Sequence, residues 1–224
     1  VFRNAGYELP AAIADLVDNS IDAGAKNILV RFIRTANSLQ GLQVIDDGRG
    51  MTEDEATEAM RFGSEKSYDE DALGMFGVGL KSASLSCADG LTVVSRTRRN
   101  GTVARRWTAA GAAADWTCEI LDPQWAKERL RGLDAPVVDY SRSGTLVQWD
   151  DVHDFGRATN TGVDRYLKRR FREIHQHLGL HFHRIIERGE TTIFIDSFNI
   201  DSDQRGPISE VEALDPFGYP KAGK

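Results

Sequence analysis

The sequence predicts an α/β protein, because helical and strand-like patterns alternate along the chain. An amphipathic helix is predicted over residues 11–24, strand-like segments recur between residues 27 and 196, and a basic helix is predicted over residues 163–178. The chain has 224 residues, of which 41% are hydrophobic, so it is long enough to bury a substantial core.

The first helix, AAIADLVDNSIDAG, has one apolar and one polar face. At helical spacing the apolar face holds Ile13, Leu16, Val17 and Ile21, and the polar face holds Asp15, Asn19 and Asp22. Pro10 suits the first helical position and Gly24 suits a C-terminal cap. Taken alone, this pattern is that of an ordinary amphipathic helix with a solvated acidic face.

Two strands are predicted next, over residues 27–34 and 42–47, with a turn at residues 40–41. The period of two places Asp46 on the apolar face of the second strand. A carboxylate there needs a partner, because an unpaired buried charge is costly. Gly48 and Gly50 follow in DDGRG, which taken alone is a tight turn capped by aspartate.

A capping box, TEDE over residues 52–55, begins a short helix that is predicted to run to about Arg61 and to end at Gly63. Residues 64–73 are polar and have no periodicity, so we predict a mobile loop there.

The segment GMFGVGLKS over residues 74–82 has three glycines in six residues. Their backbone N–H groups can approach an anion, and a helix predicted over residues 80–87 points its positive end at the same place. The segment is not a Walker loop, because Leu80 precedes Lys81, and it is not a dinucleotide fingerprint, because Ser82 replaces the third glycine. A glycine-rich turn without a ligand stays open as an alternative.

The rest of the chain is rich in strands and then helical. Strands are predicted over residues 91–98, 102–109, 116–121, 144–149 and 191–196, and a helix over residues 123–131. The first two of these strands form a hairpin at Asn100-Gly101, and residues 207–224 are loop-like. Residues 151–161 are rich in Asp, Gly, Asn and Thr. This change of composition predicts an N-terminal domain of residues 1–155 and a C-terminal extension of residues 156–224.

Four ordered motifs together resemble the GHKL ATPases, the superfamily of DNA gyrase B, heat-shock chaperones, histidine kinases and MutL. The motifs are Asp15-x-x-x-Asn19, Asp46-x-Gly48-x-Gly50, Gly74-x-x-Gly77-x-Gly79 and Gly144-Thr145. DLVDNSIDAGA is most similar to MutL and MORC proteins, and GVGLKSAS to MORC proteins. The resemblance covers roughly residues 8–150. It implies a two-layer Bergerat sandwich, with helices on one face of a mixed, mostly antiparallel sheet, followed by a helical and β extension that begins a transducer-like region.

The resemblance also implies which residues bind the base. Asp46 would accept the adenine amino group, and Thr145 would hold Asp46 and a water beside the base. Gly48 and Gly50 would let the chain pass close to the adenine, and Met51 would pack on it.

The resemblance also implies which residues contact the phosphates of the nucleotide. Asn19 would ligate Mg²⁺, and Asp15 stands where the family usually has the glutamate that polarises the attacking water. Residues 63–73 would form a lid. The residues assigned to phosphate binding and to the lid contact are Ser64, Lys66, Gly74, Gly77, Val78, Gly79, Leu80 and Lys81.

The activity implied by the resemblance is slow Mg²⁺-dependent hydrolysis of ATP to ADP and phosphate. ATP would close the lid and drive homodimerisation of a molecular clamp. The alternatives are a nucleotide-gated binding module with little hydrolysis, and a chaperone-type or kinase-type use of the same fold. A histidine kinase needs a phosphoacceptor histidine on an associated helical domain, and nothing before Glu8 supplies one.

Composition limits the partners and the compartment. The net charge of −6 argues against extensive nucleic-acid binding, yet basic runs occur at residues 96–99, 104–106 and 168–172. DNA contact and solvated or ion-paired faces both explain these runs.

The chain has no apolar run of membrane-spanning length, no signal-peptide pattern and only two cysteines, so a cytoplasmic protein is expected. The histidines of HQHLGLHFH favour a packed helix pair over a metal site.

Overall fold

The computed structural model describes residues 8–60, 78–108, 111, 118–157 and 162–215 and confirms the α/β fold class. Within these residues nine strands form one sheet: β1 Asn27–Arg34, β2 Leu39–Asp46, β3 Ala88–Thr97, β4 Gly101–Thr108, β5 Glu119–Leu121, β6 Gly144–Val152, β7 Thr192–Asn199, β8 Gln204–Arg205 and β9 Ser209–Glu210. The order across the sheet is β5-β4-β3-β6-β2-β1-β7-β8, and β9 also pairs with β7. Among these strands β1 and β7 pair in parallel and the other pairs are antiparallel, so the sheet is mixed and mostly antiparallel.

The main helical layer lies on one face of the sheet. The helices are α1 Leu9–Asp22, α2 Glu53–Met60, α3 Val78–Cys87, α4 Pro123–Arg131, α5 Val163–His181 and α6 His183–Glu187. Helices α1, α3 and α5 contribute buried side chains to one large core with the sheet. Helix α4 covers a smaller apolar cluster on the opposite face. We call these the helical face and the second face.

Helix α1 begins and ends within two residues of the positions that its end signals predict. Pro10 lies in its first turn, and Gly24 follows the C-cap residue Ala23 with φ +76°. The predicted apolar face is buried at Ile13 and Leu16, where α1 packs between α3 and α5. The polar face therefore points away from the core of the helical face.

The turn predicted at residues 40–41 is wrong, because both residues lie inside β2. The chain instead turns between Thr35 and Ser38, where the Thr35 N–H donates to the Ser38 carbonyl at 2.8 Å. Gly41 faces β6 so closely that a Cβ atom there would lie 2.4 Å from the Trp149 carbonyl oxygen. This glycine thus marks a close approach of two strands.

The capping box and the hairpin are confirmed. The Thr52 N–H donates to Glu55 Oε2 at 2.8 Å, and the Glu55 N–H donates to Thr52 Oγ1 at 3.3 Å. Strands β3 and β4 pair from Gly90 and Thr108 to Thr97 and Gly101. Helix α3 begins at Val78, two residues before the predicted start, so Gly79 lies in its first turn.

The sheet runs across the predicted domain boundary at residue 155. Strand β7 pairs with β1 from Asn27 and Thr192 to Arg34 and Asn199, and α5 packs against α1. The division into two domains stays a prediction, but the C-terminal segment completes the same sheet.

The histidine-rich segment forms the predicted helix pair, α5 followed by α6. The His177 and His181 rings stack at 6.1 Å. Among the described residues, no group of three His, Cys, Asp or Glu side chains is arranged to hold a metal ion. None of the helices in the described ranges is long and apolar enough to span a membrane.

Candidate functional site

Asp46 is a buried carboxylate at the end of β2, on the helical face. Only 3% of the residue is exposed. Its Oδ2 accepts a hydrogen bond from Ser20 Oγ at 3.1 Å, and its Oδ1 accepts one from the Gly48 N–H at 2.9 Å. Burial raises the pKa of Asp46 to about 6, although both hydrogen bonds oppose the shift. Asp46 is therefore a poorly solvated hydrogen-bond acceptor, as its strand position predicts.

The loop after Asp46 is fixed to the end of α1 and the start of β1. Asp47 Oδ1 accepts hydrogen bonds from the backbone N–H groups of Lys26 and Asn27 at 2.7 and 3.0 Å. The Arg49 N–H donates to the Ala23 carbonyl at 3.0 Å. These bonds hold the DDGRG turn rigidly beside the helix that carries Asp15 and Asn19.

Packing within the protein explains the two glycines of this turn. A Cβ atom on Gly48 would lie 2.9 Å from both the Ala23 Cβ and Asp46 Oδ1. Gly50 has φ +71°, and a Cβ atom there would lie 1.9 Å from the Arg96 carbonyl oxygen. The glycines are needed for the close approach of the turn to α1 and β3, independently of any ligand.

A second polar cluster lies beside Asp46, on β3 and β6. Thr145 is opposite Asp46 in the sheet and only 7% exposed. Its Oγ1 lies 2.9 Å from Ser95 Oγ, which also accepts a hydrogen bond from the Met51 N–H at 2.8 Å. Ser95 is fully buried. The cluster joins Thr145 to the residue that follows the DDGRG turn.

The polar face of α1 brings Asp15 and Asn19 together, one helical turn apart and both half-buried. Asn19 Nδ2 donates to the Asp15 carbonyl at 2.7 Å, which orients the amide so that Oδ1 points away from that bond. The next residue, Ser20, contacts Asp46. A single helix thus links the predicted metal ligand to the predicted base contact.

The structure brings together Asp46, Gly48, Gly50, Met51 and Thr145, and places Asp15 and Asn19 on the adjoining helix. Val78, Gly79, Leu80 and Lys81 form the first turn of α3, and Leu80 is buried. The remaining predicted residues, Ser64, Lys66, Gly74 and Gly77, lie outside the described residues.

Sequence reasoning missed Ser20 and Ser95. Both are hydroxyl side chains on apolar faces, since Ser20 is one helical turn from Leu16 and Ser95 alternates with Leu91 and Val93. A hydroxyl at a buried position needs a hydrogen-bond partner, and this signal could have identified both. Their partners lie 26 to 50 residues away in sequence, so the pairing itself could not be predicted.

This fold and this arrangement of aspartate, glycines and threonine define the class of GHKL-type ATP-binding domains. The chain belongs to the family described as histidine kinase-, DNA gyrase B- and HSP90-like ATPases, whose family model matches residues 7–145.

Two groups of relatives have similar sequences. The DNA mismatch repair protein MutL of Dictyoglomus turgidum is 41% identical over 78 residues, which cover 34% of this chain and 13% of that protein. ATPase morc-1 of Caenorhabditis elegans is 39% identical over 88 residues, which cover 38% of this chain and 10% of that protein. MutL of Halobacterium salinarum is 34% identical over 132 residues, which cover 51% of this chain and 20% of that protein. The chain matches only a small part of the length of each relative.

A solved structure, described as the N-terminal domain of a DNA repair protein, has the same fold. It matches with a TM-score of 0.53 and 18% identity, over 92% of this chain and 53% of that chain. At this identity the likeness supports the fold alone.

Proposed function

We propose that this chain binds ATP with Mg²⁺ and hydrolyses it slowly to ADP and phosphate. The observation that carries the proposal is the buried acceptor Asp46, held by Ser20 and Gly48 on the helical face. Such a group is costly to bury unless a ligand or the protein supplies hydrogen-bond donors. The exocyclic amino group of adenine is a donor of the required kind.

The neighbours of Asp46 suit a purine. Thr145 supplies a hydroxyl on the adjacent strand, and Met51 supplies a half-buried, polarisable side chain at the end of the rigid turn. We assign Asp46 and Thr145 to the polar edge of adenine and Met51 to its face.

The phosphate end would lie between α1 and the start of α3. Asn19 presents a neutral amide oxygen, which suits Mg²⁺ where phosphates already supply the negative charge. The first turn of α3, from Val78, has N–H groups without partners in the helix, and these favour an anion. Bound Mg²⁺ would neutralise charge on the phosphate oxygens.

Asp15 is the proposed catalytic residue. It lies one helical turn before Asn19, so both can face the same phosphate. Aspartate is about 1.5 Å shorter than the glutamate usual in the family. A general base must lie within about 3 Å of the water it activates, so a shorter side chain slows hydrolysis unless the helix lies closer.

The test compares three variants by phosphate release and by calorimetric titration of ATP. Asp15→Ala should abolish hydrolysis and keep ATP affinity within a few-fold, because the carboxylate contacts the water. Asp15→Glu should hydrolyse at least as fast as the parent. Asp22→Ala, at an exposed position of the same helix, is the matched control and should behave as the parent. Full turnover by Asp15→Ala would refute this role.

We further propose that ATP closes a lid over residues 63–73 and drives homodimerisation, as in a clamp. The support is membership of the family and the polar sequence of that segment. Limited proteolysis within the segment should slow when a non-hydrolysable ATP analogue and Mg²⁺ are added, and light scattering should show a dimer. A chain that binds ATP tightly but stays monomeric and does not turn over would favour the nucleotide-gated binding module.

DNA is a second candidate partner, and a basic groove on the second face favours it. The groove has a volume of about 1290 Å³ and lies between the tip of the β3–β4 hairpin, helix α4 and residues 133–142. Five cations line it, Arg96, Arg98, Lys127, Arg131 and Arg142, together with two carboxylates, Asp134 and Asp139. Within the described part of the chain none of these five forms a salt bridge. This local charge contrasts with the net charge of −6 for the chain.

The tip of the β3–β4 hairpin lies between this groove and the DDGRG turn. Thr97 and Arg98 also border a cavity of about 520 Å³ beside Gly48 and Arg49. A duplex in the groove would therefore touch a segment that lies next to the proposed base site.

Charge reversal tests this groove against a matched basic helix. The double variant Arg98→Glu, Lys127→Glu should weaken duplex DNA binding and make the slope of log affinity against log salt concentration less negative by about 2. The variant Lys168→Glu, Arg172→Glu makes the same charge change on exposed positions of α5 and should bind as the parent. Equal losses in both variants would mean that the basic charge acts nonspecifically.

A further inference from the structure

A row of polar residues crosses the second face of the sheet, next to the apolar cluster that α4 covers. Its members lie opposite one another on six neighbouring strands, in the order Asp196, Arg31, Gln43, Gln148, Thr92 and Arg106. Asp196, Arg31, Gln43 and Thr92 are buried. Because buried polar groups need hydrogen-bond partners, this row concentrates polar chemistry on a face that lies away from the proposed base site.

A cavity of about 200 Å³ lies beside this row. It is lined by Arg31, Gln43 and Gln148 of the row, by Arg129 of α4 and by Asp150 of β6. The proposed base site is on the helical face, so the sheet separates it from this cavity. An inference about the cavity therefore does not depend on the proposed function.

Four charged side chains line the cavity, and two of them already have an ion-pair partner. Arg31 is bound to Asp196, and Asp134 is bound to Arg205. The other two are Arg129 and Asp150, and neither forms a salt bridge within the described part of the chain. The cavity thus has one cation and one anion that lack a counter-charge.

The amide of Gln148 lies between these two charges. Arg129 Nη2 donates to Gln148 Oε1 at 2.8 Å, and Gln148 Nε2 donates to Asp150 Oδ1 at 2.7 Å. A guanidinium can only donate and a carboxylate can only accept, so these contacts determine the orientation of the amide. Each charged group has further hydrogen-bonding capacity for a ligand, and the two groups are held one amide apart.

The next row of the sheet forms an apolar wall at a distance from Asp150. Asp150 lies opposite Gly41, and beyond Gly41 come Ile33 on β1 and Phe198 on β7. Ile33 and Phe198 both line the cavity. Since Gly41 has no side chain, bare backbone separates the carboxylate from this wall, over two strand spacings or about 10 Å.

We propose that the cavity binds a free α-amino acid with an apolar side chain of about the size of leucine. Asp150 accepts the ammonium group and Arg129 donates to the carboxylate, so that one zwitterion supplies both missing counter-charges. The apolar side chain lies across Gly41 and contacts Ile33 and Phe198, where it is removed from water.

The volume of the cavity limits the class of ligand. A cavity of about 150 Å³ holds benzene, so about 200 Å³ suits a molecule of roughly eight or nine non-hydrogen atoms, such as leucine. Drug-sized ligands need about 300–1,000 Å³. The terminus of a protein chain carries only one of the two charges, so it would leave either Arg129 or Asp150 without a counter-charge.

The experiment compares four ligands by calorimetric titration of the whole 224-residue chain without nucleotide. L-leucine should bind with a dissociation constant of about 1 mM or below. N-acetyl-L-leucine lacks the ammonium group, L-leucinamide lacks the carboxylate and glycine lacks the apolar side chain. Each of these three should bind at least about tenfold more weakly than leucine.

Two variants connect each charged group of the ligand to its partner. Asp150→Asn should bind leucine about tenfold more weakly and should no longer distinguish it from N-acetyl-leucine, because the ammonium group has lost its partner. Arg129→Gln should likewise lose affinity and should no longer distinguish leucine from leucinamide. A general loosening of the cavity would weaken all ligands alike and would not give this crossed pattern.

Asp134→Asn is the matched control. Asp134 lines the same cavity, but its carboxylate is 51% exposed and is paired with Arg205 at 2.9 Å. This variant should bind the four ligands as the unmodified chain does.

Two results with the unmodified chain would overturn the proposal: no saturable binding of leucine up to about 10 mM, or equal affinity for leucine and either of its blocked derivatives. Neither result requires a variant to fold. An equal loss of affinity for leucine and N-acetyl-leucine in folded Asp150→Asn would also overturn it. Failure of the proposed function would look different, because it would abolish ATP binding and leave these titrations unchanged.

Discussion

At the scale of single residues, the ionised carboxylate of Asp46 lowers the stability of the fold, whereas the proposed contact with adenine requires it. Its carboxylate is buried without a cationic partner among the described residues, and burial raises its pKa from 3.8 to about 6. The folded protein therefore binds a proton more readily than the unfolded chain does. The resulting stabilisation is present below about pH 4 and is lost as the pH rises through about 6.

We predict that Asp46→Asn raises the free energy of unfolding at pH 7 by roughly 2–3 kcal/mol at most. Asparagine can accept the Gly48 N–H through Oδ1 and donate through Nδ2 to Ser20 Oγ, which also donates to the Leu16 carbonyl at 3.2 Å. Urea unfolding of the parent and the variant from pH 4 to pH 8 measures the difference. The two stabilities should converge towards pH 4, and a variant that is less stable than the parent at pH 7 would refute the argument.

The same substitution should weaken ATP binding. The variant replaces an acceptor by a donor at the proposed adenine contact, so affinity should fall by roughly 2–4 kcal/mol at pH 7. ATP affinity of the parent should also fall as the pH drops below about 6, because protonated Asp46 is a poorer acceptor. Calorimetric titration at pH 5.5 and 7.5 measures both effects, and unchanged affinity of Asp46→Asn would remove Asp46 from the site.

At the scale of elements, the DDGRG turn is more constrained than the hairpin turn of β3–β4. Gly50 and Gly101 both have positive φ angles, +71° and +82°. A Cβ atom on Gly101 would meet nothing within 4 Å, whereas one on Gly50 would collide with the backbone of Arg96. The two glycines therefore share a left-handed backbone conformation, which would strain any residue with a side chain, but they differ in how closely other atoms approach them.

Alanine substitution should separate the cost of the left-handed backbone conformation from the cost of the close contact with Arg96. Gly101→Ala should cost about 1–2 kcal/mol, the strain of a left-handed residue with a side chain. Gly50→Ala should cost about 1–3 kcal/mol more, because the turn must move away from β3. Chemical denaturation gives both values, and equal costs would show that the turn adapts freely.

Features that depend on neighbouring residues in the sequence could be predicted, whereas features that depend on contacts with remote residues could not. The Thr52–Glu55 capping box and the Asn100-Gly101 hairpin depend on neighbours in sequence, and both are present. Gly41 was assigned to a turn, because its actual cause, the carbonyl of Trp149, is remote in sequence. For the candidate site, the period of two sufficed to bury Asp46, but the partners Ser20 and Ser95 come from other elements.

At the scale of the whole molecule, the C-terminal segment is tied to β1 by two ion pairs of different kinds. Arg31 pairs with Asp196 through bonds of 2.8 and 2.6 Å, and both side chains are buried. Arg34, on the same strand, pairs with Asp164, whose side chain is 88% exposed. The energetic contributions of a buried and an exposed ion pair can therefore be compared on the same strand.

We predict that Asp196→Ala destabilises the protein by about 3–5 kcal/mol, because it leaves the Arg31 charge buried without its partner. Asp164→Ala should cost less than about 1 kcal/mol, as expected for an exposed pair. Urea unfolding of both variants tests this, and similar losses would show that water reaches Arg31.

The parallel pairing of β1 with β7 also affects the folding of the chain during its synthesis. The two strands lie 165 residues apart, and synthesis at about 5–20 residues per second separates them by roughly 10–30 s. Over that interval β1 has an open edge, and α1 lacks the cover that α5 provides. Parallel contacts between distant segments also form slowly. The nascent chain therefore exposes an unpaired strand edge, which is prone to aggregation, next to α1 until Asn199 has left the ribosome.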